Sequence, residues 1–172
     1  ALAIEVFHNF TLVHDDIMDD APLRRGKETV HEKWDISTGI LSGDAMLILA
    51  YQYFENYEPI VFQKLAKLFS KTALEVCDGQ QLDVDFETRN DVTIDEYINM
   101  IRLKTSVLVA AALKMGAIVS EANEENANLI YAFGLNLGLA FQLQDDYLDT
   151  FGDPETFGKQ VGGDIIENKK TF

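Results

Sequence analysis

The chain has 172 residues, 47% of them apolar, which is a globular composition with enough length for a sizeable core. Its formal charge of −15 and pI of about 4.4 argue against nucleic acid and anionic membrane surfaces as direct partners. A single cysteine, Cys77, excludes an internal disulfide framework and fits a reducing cytoplasm, the expected location.

The sequence opens inside an apolar periodic segment, "ALAIEVFHNF", and ends on "ENKKTF" with no stop signal, so it reads as part of a longer chain. No uninterrupted apolar run reaches the roughly 18 residues of a membrane span. Residues 1–20 predict one helix, ended at Ala21-Pro22 because the residue before proline disfavours the α region. Residues 23–38, with "RRGKE", read as polar and irregular, and residues 42–57 as a helix opened by "SGD". A long helix is expected over 59–87, with Pro59 in its first turn. Another is expected over 93–119, opened by "TIDE", a capping-box pattern. A last one runs over 123–151 and stops at "GDP". "FGKQVGGD" follows as a glycine-rich loop, with a further helix starting near Ile165. Gly116, Gly134 and Gly138, with "VAAAL" at 109–113, offer small residues for close helix contact. The economical reading is one all-α bundle.

Two aspartate clusters stand out. "HDDIMDD" at 14–20 and "QDDYLDTFGD" at 144–153 share the spacing D-D-x-x-D, through Asp15, Asp16 and Asp19 and through Asp145, Asp146 and Asp149. At ~100° per residue, the first and last members lie ~40° apart on one helix face. Each cluster also falls in the last turns of its helix, at the negative end of the macrodipole. Like-charge repulsion and the dipole each cost a few tenths to ~1 kcal/mol. A solvated acidic face explains one such cluster, but two of identical spacing in the same unfavourable position call for divalent cations. Oxygen-only ligands favour Mg²⁺, which keeps several waters and bridges to phosphates. Zinc is not expected, since neither HExxH nor CxxC occurs. Asp20 has no counterpart in the second cluster, where Thr150 stands, and should be dispensable for activity. "DVDFETRNDVTIDE" fails as a calcium loop because Asn90 replaces the required glycine.

Cations that grip a phosphate should be joined by Lys and Arg, of which there are only 14. Arg24 and Arg25 follow the first cluster; Lys159, Lys169 and Lys170 follow the second. A lone lysine is usually a surface residue, but Lys104 sits in the apolar stretch "MIRLKTSVLVAAALKMG". Gln142 lies one turn before Asp146 on the same face.

Taken together, "DDIMD…RRG", "KT", "GQ-x-L-D" at Gly79–Asp83, "FQLQDDYLD" and "GK-x-x-G-x-D" resemble the trans-isoprenyl diphosphate synthases, or polyprenyl synthetases, over the whole chain. The resemblance implies a bundle of mostly antiparallel long helices around a central cavity, of isoprenoid synthase type and usually homodimeric. It implies that residues 1–172 are a single incomplete domain. The family's N-terminal Gly-Gly-Lys-x-x-Arg-type motif for isopentenyl diphosphate and its C-terminal helices are not in it. Asp15, Asp16, Asp19, Asp145, Asp146 and Asp149 match the ligands of about three Mg²⁺ ions that grip the allylic diphosphate. Arg24, Lys104 and Lys159 match its cationic contacts, Arg25 matches a contact to isopentenyl diphosphate, and Lys169 lies near the cavity mouth. Lys104, Thr105, Gln142 and Asp145 match the reacting centre, and Phe141 an aromatic beside it. Gln80 and Asp83 fall in a motif facing the cavity.

The activity so implied is head-to-tail prenyl transfer from an allylic diphosphate to isopentenyl diphosphate, with no nucleic-acid partner. Product length would be set by Phe10, with Thr11 and Phe7 nearby; one aromatic there suggests a fifteen- or twenty-carbon product. Helix geometry alone would favour Thr11, ~40° from Asp15, over Phe10 at ~140°. Two other readings stay open. A class I terpene cyclase also uses DDxxD, although its second metal motif usually differs. A non-catalytic regulatory subunit of a prenyl synthase would keep the fold without turnover.

Overall fold

The computed structural model describes residues 1–152 and 169–171. In chain order they form α1 (Leu2–Met18), a hairpin of β1 (Leu23–Arg24) and β2 (Lys27–Glu28), α2 (Val30–Lys33), α3 (Ile36–Gln52) and α4 (Pro59–Glu87). α5 (Ile94–Ile101), a π-helical turn (Arg102–Ser106), α6 (Val107–Val119) and α7 (Glu124–Phe151) follow. Among the described residues the fold is all-α apart from that hairpin. Two compact units are present, Ala1–Ala66 and Lys67–Phe172. Among the described residues no helix is long and apolar enough to cross a membrane. The expected glycine-rich loop and the helix near Ile165 lie outside the described residues.

In the first unit, α1 packs along α3. The approach is close because α3 presents glycine. A Cβ on Gly43 would sit 2.2 Å from the His14 ring, and one on Gly39 would sit 2.7 Å from Ile17. This corrects the expected helix over 42–57. "SGD" lies inside a helix that starts at Ile36, where Asp35 caps the end by accepting from the Thr38 N–H at 2.7 Å. The glycine that looked like a helix opener makes room for a ring. Residues 23–38 are likewise not irregular. Leu23 pairs with Glu28 and Arg24 with Lys27 across a two-residue loop, Arg25-Gly26, both at positive φ (53° and 74°). That is the backbone of a type I′ hairpin turn, and glycine at its second position lowers its cost.

In the second unit, the expected capping box is present. The Glu96 N–H donates to Thr93 Oγ1, and the Thr93 N–H donates to Glu96 at 2.8 Å. The Thr93 backbone hydrogen bond, with Arg89 and the Thr93 hydroxyl, brings the Glu96 carboxyl down to about 2. The helix expected over 93–119 is not continuous, because the π turn divides α5 from α6. Phe86 of α4 and Tyr97, Met100 and Ile101 of α5 form a buried cluster, joined by Leu139 and Leu143 of α7. Burying each large apolar side chain contributes about 1.5–3 kcal/mol.

Small residues bring the helices of this unit together. A Cβ on Gly134 would lie 2.6 Å from Ala110 Cα, one on Gly138 2.5 Å from Ser106 Cα, and one on Gly79 2.2 Å from the Lys104 backbone nitrogen. Gly116, expected to do the same, meets nothing within 4 Å.

Candidate active site

The first aspartate triad closes α1. Asp15 and Asp16 occupy the last turn and Asp19 is the C-cap residue. Asp20 follows at φ 49°; its N–H bonds to Ile17 O and the Ala21 N–H to Asp16 O. These two bonds and the left-handed residue form a Schellman end. The hairpin then carries Arg24 back over the triad. Arg24 Nε donates to Asp16 Oδ1 at 2.5 Å, and Nη2 to Asp15 Oδ2 at 3.4 Å. Asp16 is buried, and burial raises its carboxyl above the usual range even with the Arg24 guanidinium beside it. Arg25, in the loop of the hairpin, is exposed. Further back along α1, Phe7 is fully buried and its ring meets Phe10 at 5.5 Å, while Phe10 meets the His14 ring edge-on at 4.9 Å. The Thr11 hydroxyl is spent on its own helix, donating to His8 O.

The second triad lies in the last turns of α7, with Asp146 and Asp149 buried. Residues 138, 142 and 146 recur at one-turn spacing on the α7 face that meets the π turn and α5. Gly138 lets the backbone at Ser106 approach. Thr105 Oγ1 donates to Gln142 Oε1 at 2.8 Å, and Gln142 Nε2 donates to Asp146 Oδ1 at 2.7 Å. The Tyr97 hydroxyl donates to Asp146 Oδ2 in a short hydrogen bond. Burial raises the Asp146 carboxyl, and these two donors only partly offset it.

α4 supplies a matching stripe. Gly79 seats the π-turn backbone, and Asp83 one turn on takes the Lys104 ammonium at 2.6 Å. Lys169 also reaches Asp83, at 3.3 Å, and Glu87, at 2.8 Å. Burial pushes the Asp83 carboxyl up, but the two ammonium groups outweigh it and hold it below the usual range. The π turn is therefore the hub of this unit: consecutive residues send Lys104 to α4 and Thr105 to α7. Single-turn π segments inside helices are frequent at functional sites.

Lys104, Thr105, Gln142, Asp146, Asp83 and Lys169 thus fall into linked pairs, as do Arg24, Asp15 and Asp16. Asp145 is partly buried beside this network, and Gln80 is partly buried next to Gly79. Phe141 is 58% exposed and does not join the Gln142 network. Lys159 lies outside the described residues. Sequence reasoning missed Tyr97 and Glu87. A phenol on the otherwise apolar face of α5 was the available sign that Tyr97 has a polar partner.

The polyprenyl synthetase family model matches residues 1–172. A geranylgeranyl diphosphate synthase of Methanosarcina mazei is 45% identical over 174 residues, covering 100% of this chain and 54% of that protein. A crystal structure of geranylgeranyl pyrophosphate synthase matches with a TM-score of 0.96 at 71% identity, over 99% of this chain and 52% of that one. A geranyltransferase from Helicobacter pylori, solved with magnesium and isoprenyl diphosphate, matches with a TM-score of 0.90 at 34% identity, over 99% of this chain and 58% of that one. The chain spans about half the length of the curated relatives it matches. With the family model matched over residues 1–172 and relatives more than 40% identical over all of it, the chain belongs to the polyprenyl synthetase family.

Proposed function

We propose that this protein is a Mg²⁺-dependent trans-prenyltransferase that joins an allylic diphosphate to isopentenyl diphosphate. The products are a fifteen- or twenty-carbon polyprenyl diphosphate and diphosphate. The observation that carries this reading is the Thr105–Gln142–Asp146 chain with Lys104 beside it. In this reading it sets uncharged dipoles beside a carboxylate that would hold metal, with the Lys104 cation one residue from Thr105 on the same turn.

The donor chemistry fits Mg²⁺. Both triads offer only carboxylate oxygens, and burial raises Asp16 and Asp146, a penalty that a divalent cation offsets. Asp15, Asp16, Asp19, Asp145, Asp146 and Asp149 would hold about three ions, which supply charge neutralisation to a departing diphosphate. The protein's own groups do the rest. Arg24, Lys104 and Lys159 bind the allylic diphosphate, Arg25 contacts isopentenyl diphosphate, and Lys169 closes the near side.

Asp146 fixes the Gln142 amide by accepting its N–H, which turns Gln142 Oε1 to Thr105. Thr105 donates its hydroxyl hydrogen bond to Gln142 Oε1, so its lone pairs remain for an electron-poor carbon. As the allylic C–O bond breaks, those dipoles and the Lys104 carbonyl steady the cation. The isopentenyl double bond attacks it, a proton leaves to the released diphosphate, and the chain is longer by one unit. Phe10, with Phe7 behind it, limits product length. A homodimer is the assembly this reading expects.

The test is incubation of the full-length protein with Mg²⁺, isopentenyl diphosphate and each of the dimethylallyl, geranyl and farnesyl diphosphates, followed by chromatography. Prenyl diphosphate products are expected. A hydrocarbon product would replace this reading with a cyclase, and no turnover on any substrate would replace it with a regulatory subunit.

A further inference from the structure

We propose that Asp20, His31 and Glu32 form a second metal site, separate from the aspartate triads and selective for a transition metal of the zinc class. It is independent of the prenyl-transfer reading. The ligand atoms of these three residues all lie within 4.8 Å of one another. His31 Nε2 is 4.0 Å from Asp20 Oδ1 and 3.8 Å from Glu32 Oε1. The His31 side chain is only 5% exposed, and among the described residues neither ring nitrogen has a hydrogen-bond partner. A buried imidazole without partners is costly, about 1–3 kcal/mol. This one points its Nε2 at two carboxylates standing just beyond hydrogen-bond reach.

A tetrahedral ion with bonds of about 2.0–2.1 Å needs its ligand atoms about 3.3 Å apart. Closing from 3.8 and 4.0 Å takes only side-chain rotation of two acids that are themselves 50% and 96% exposed. One imidazole nitrogen with two carboxylate oxygens suits zinc or its first-row neighbours, whereas the triads offer oxygen alone and suit Mg²⁺. The site gives Asp20 a role that its unmatched place in the first cluster did not. It also ties the end of α1 to α2, closing the loop that carries the Arg24 hairpin. No linear zinc motif announces it, because its members are an aspartate after a helix end and a His-Glu pair eleven residues on.

The experiment strips the purified protein with chelator, adds millimolar Mg²⁺ to occupy the triads, and titrates Zn²⁺ by calorimetry. Nitrogen NMR of the imidazoles runs in parallel. One zinc per chain is expected, with the His31 Nε2 resonance shifted. Asp20→Asn and Glu32→Gln should each weaken binding by an order of magnitude or more. Both residues are exposed, so these variants fold even where His31→Gln does not. Prenyl transfer with Mg²⁺ alone should be unchanged in both. The proposal is overturned by the absence of stoichiometric zinc, by a His31 resonance that does not move, or by acid variants that bind zinc as tightly as the parent.

Discussion

Tyr97→Phe removes one oxygen and tests the second triad directly. Tyr97 is 3% exposed and Asp146 7%, so no solvent stands ready to replace the lost donor. The ring stays in place against Met100 and Ile101, and the apolar contribution is kept. A hydrogen bond to a buried carboxylate is worth about 1.5–3 kcal/mol. For a chain of this size each kcal/mol moves Tm by about 2–4 °C, so the variant should melt about 3–12 °C lower in chelator at neutral pH. The deficit should also depend on pH. Burial already raises Asp146, and loss of the phenol raises it further. A carboxyl raised in the folded state favours folding below its unfolded pKa, and that contribution is lost as pH rises through the folded value. The variant should therefore be most penalised at neutral pH and approach the parent in acid. Calorimetric melting across that range is the assay. A Tm equal to the parent at neutral pH, or a deficit that does not change with pH, would refute the reasoning.

Asp83→Asn should destabilise by about 1–3 kcal/mol, because Lys169 keeps Glu87 and Lys104 keeps partial access to water. The folded carboxyl is lowered, so its stabilisation is present above the unfolded pKa and is lost as pH falls; urea unfolding should show the gap to wild type closing in acid. Gly134→Ala forces a methyl against Ala110 Cα and should cost about 1–3 kcal/mol by the same measurement. Phe10→Ala should lengthen the product on chromatography, and unchanged length would remove Phe10 from that role. Asp15→Asn should lose activity by orders of magnitude while Asp20→Asn keeps it; equal losses in the Mg²⁺ assay would show that division to be wrong.

Much of this was legible from residues. Pro59 marked the start of α4, and Thr93 with Glu96 marked the start of α5, because caps act through neighbours in sequence. The spacing of Gln142 and Asp146 placed both on one face, where they do bond. Features that depend on distant partners were not legible. Gly43 looked like a helix opener because the ring it accommodates, His14, is 29 residues away. Tyr97 finds Asp146 49 residues on. His31, Asp20 and Glu32 meet only because the chain turns back at Arg25-Gly26. The π turn has no propensity signature; its backbone is met by Gly79 and Gly138 of other helices, far away in sequence.

That turn has a consequence for helix phase. A π turn lodges an extra residue in a helix whose neighbours keep the ordinary repeat. Deleting Leu103 from this turn would heal the helix and leave the Lys104 and Thr105 side chains in the chain. All of α6 would then swing by ~100° about its axis, taking Ala110 away from Gly134 and parting Lys104 or Thr105 from its partner. At this point in the chain, length is as specific as sequence.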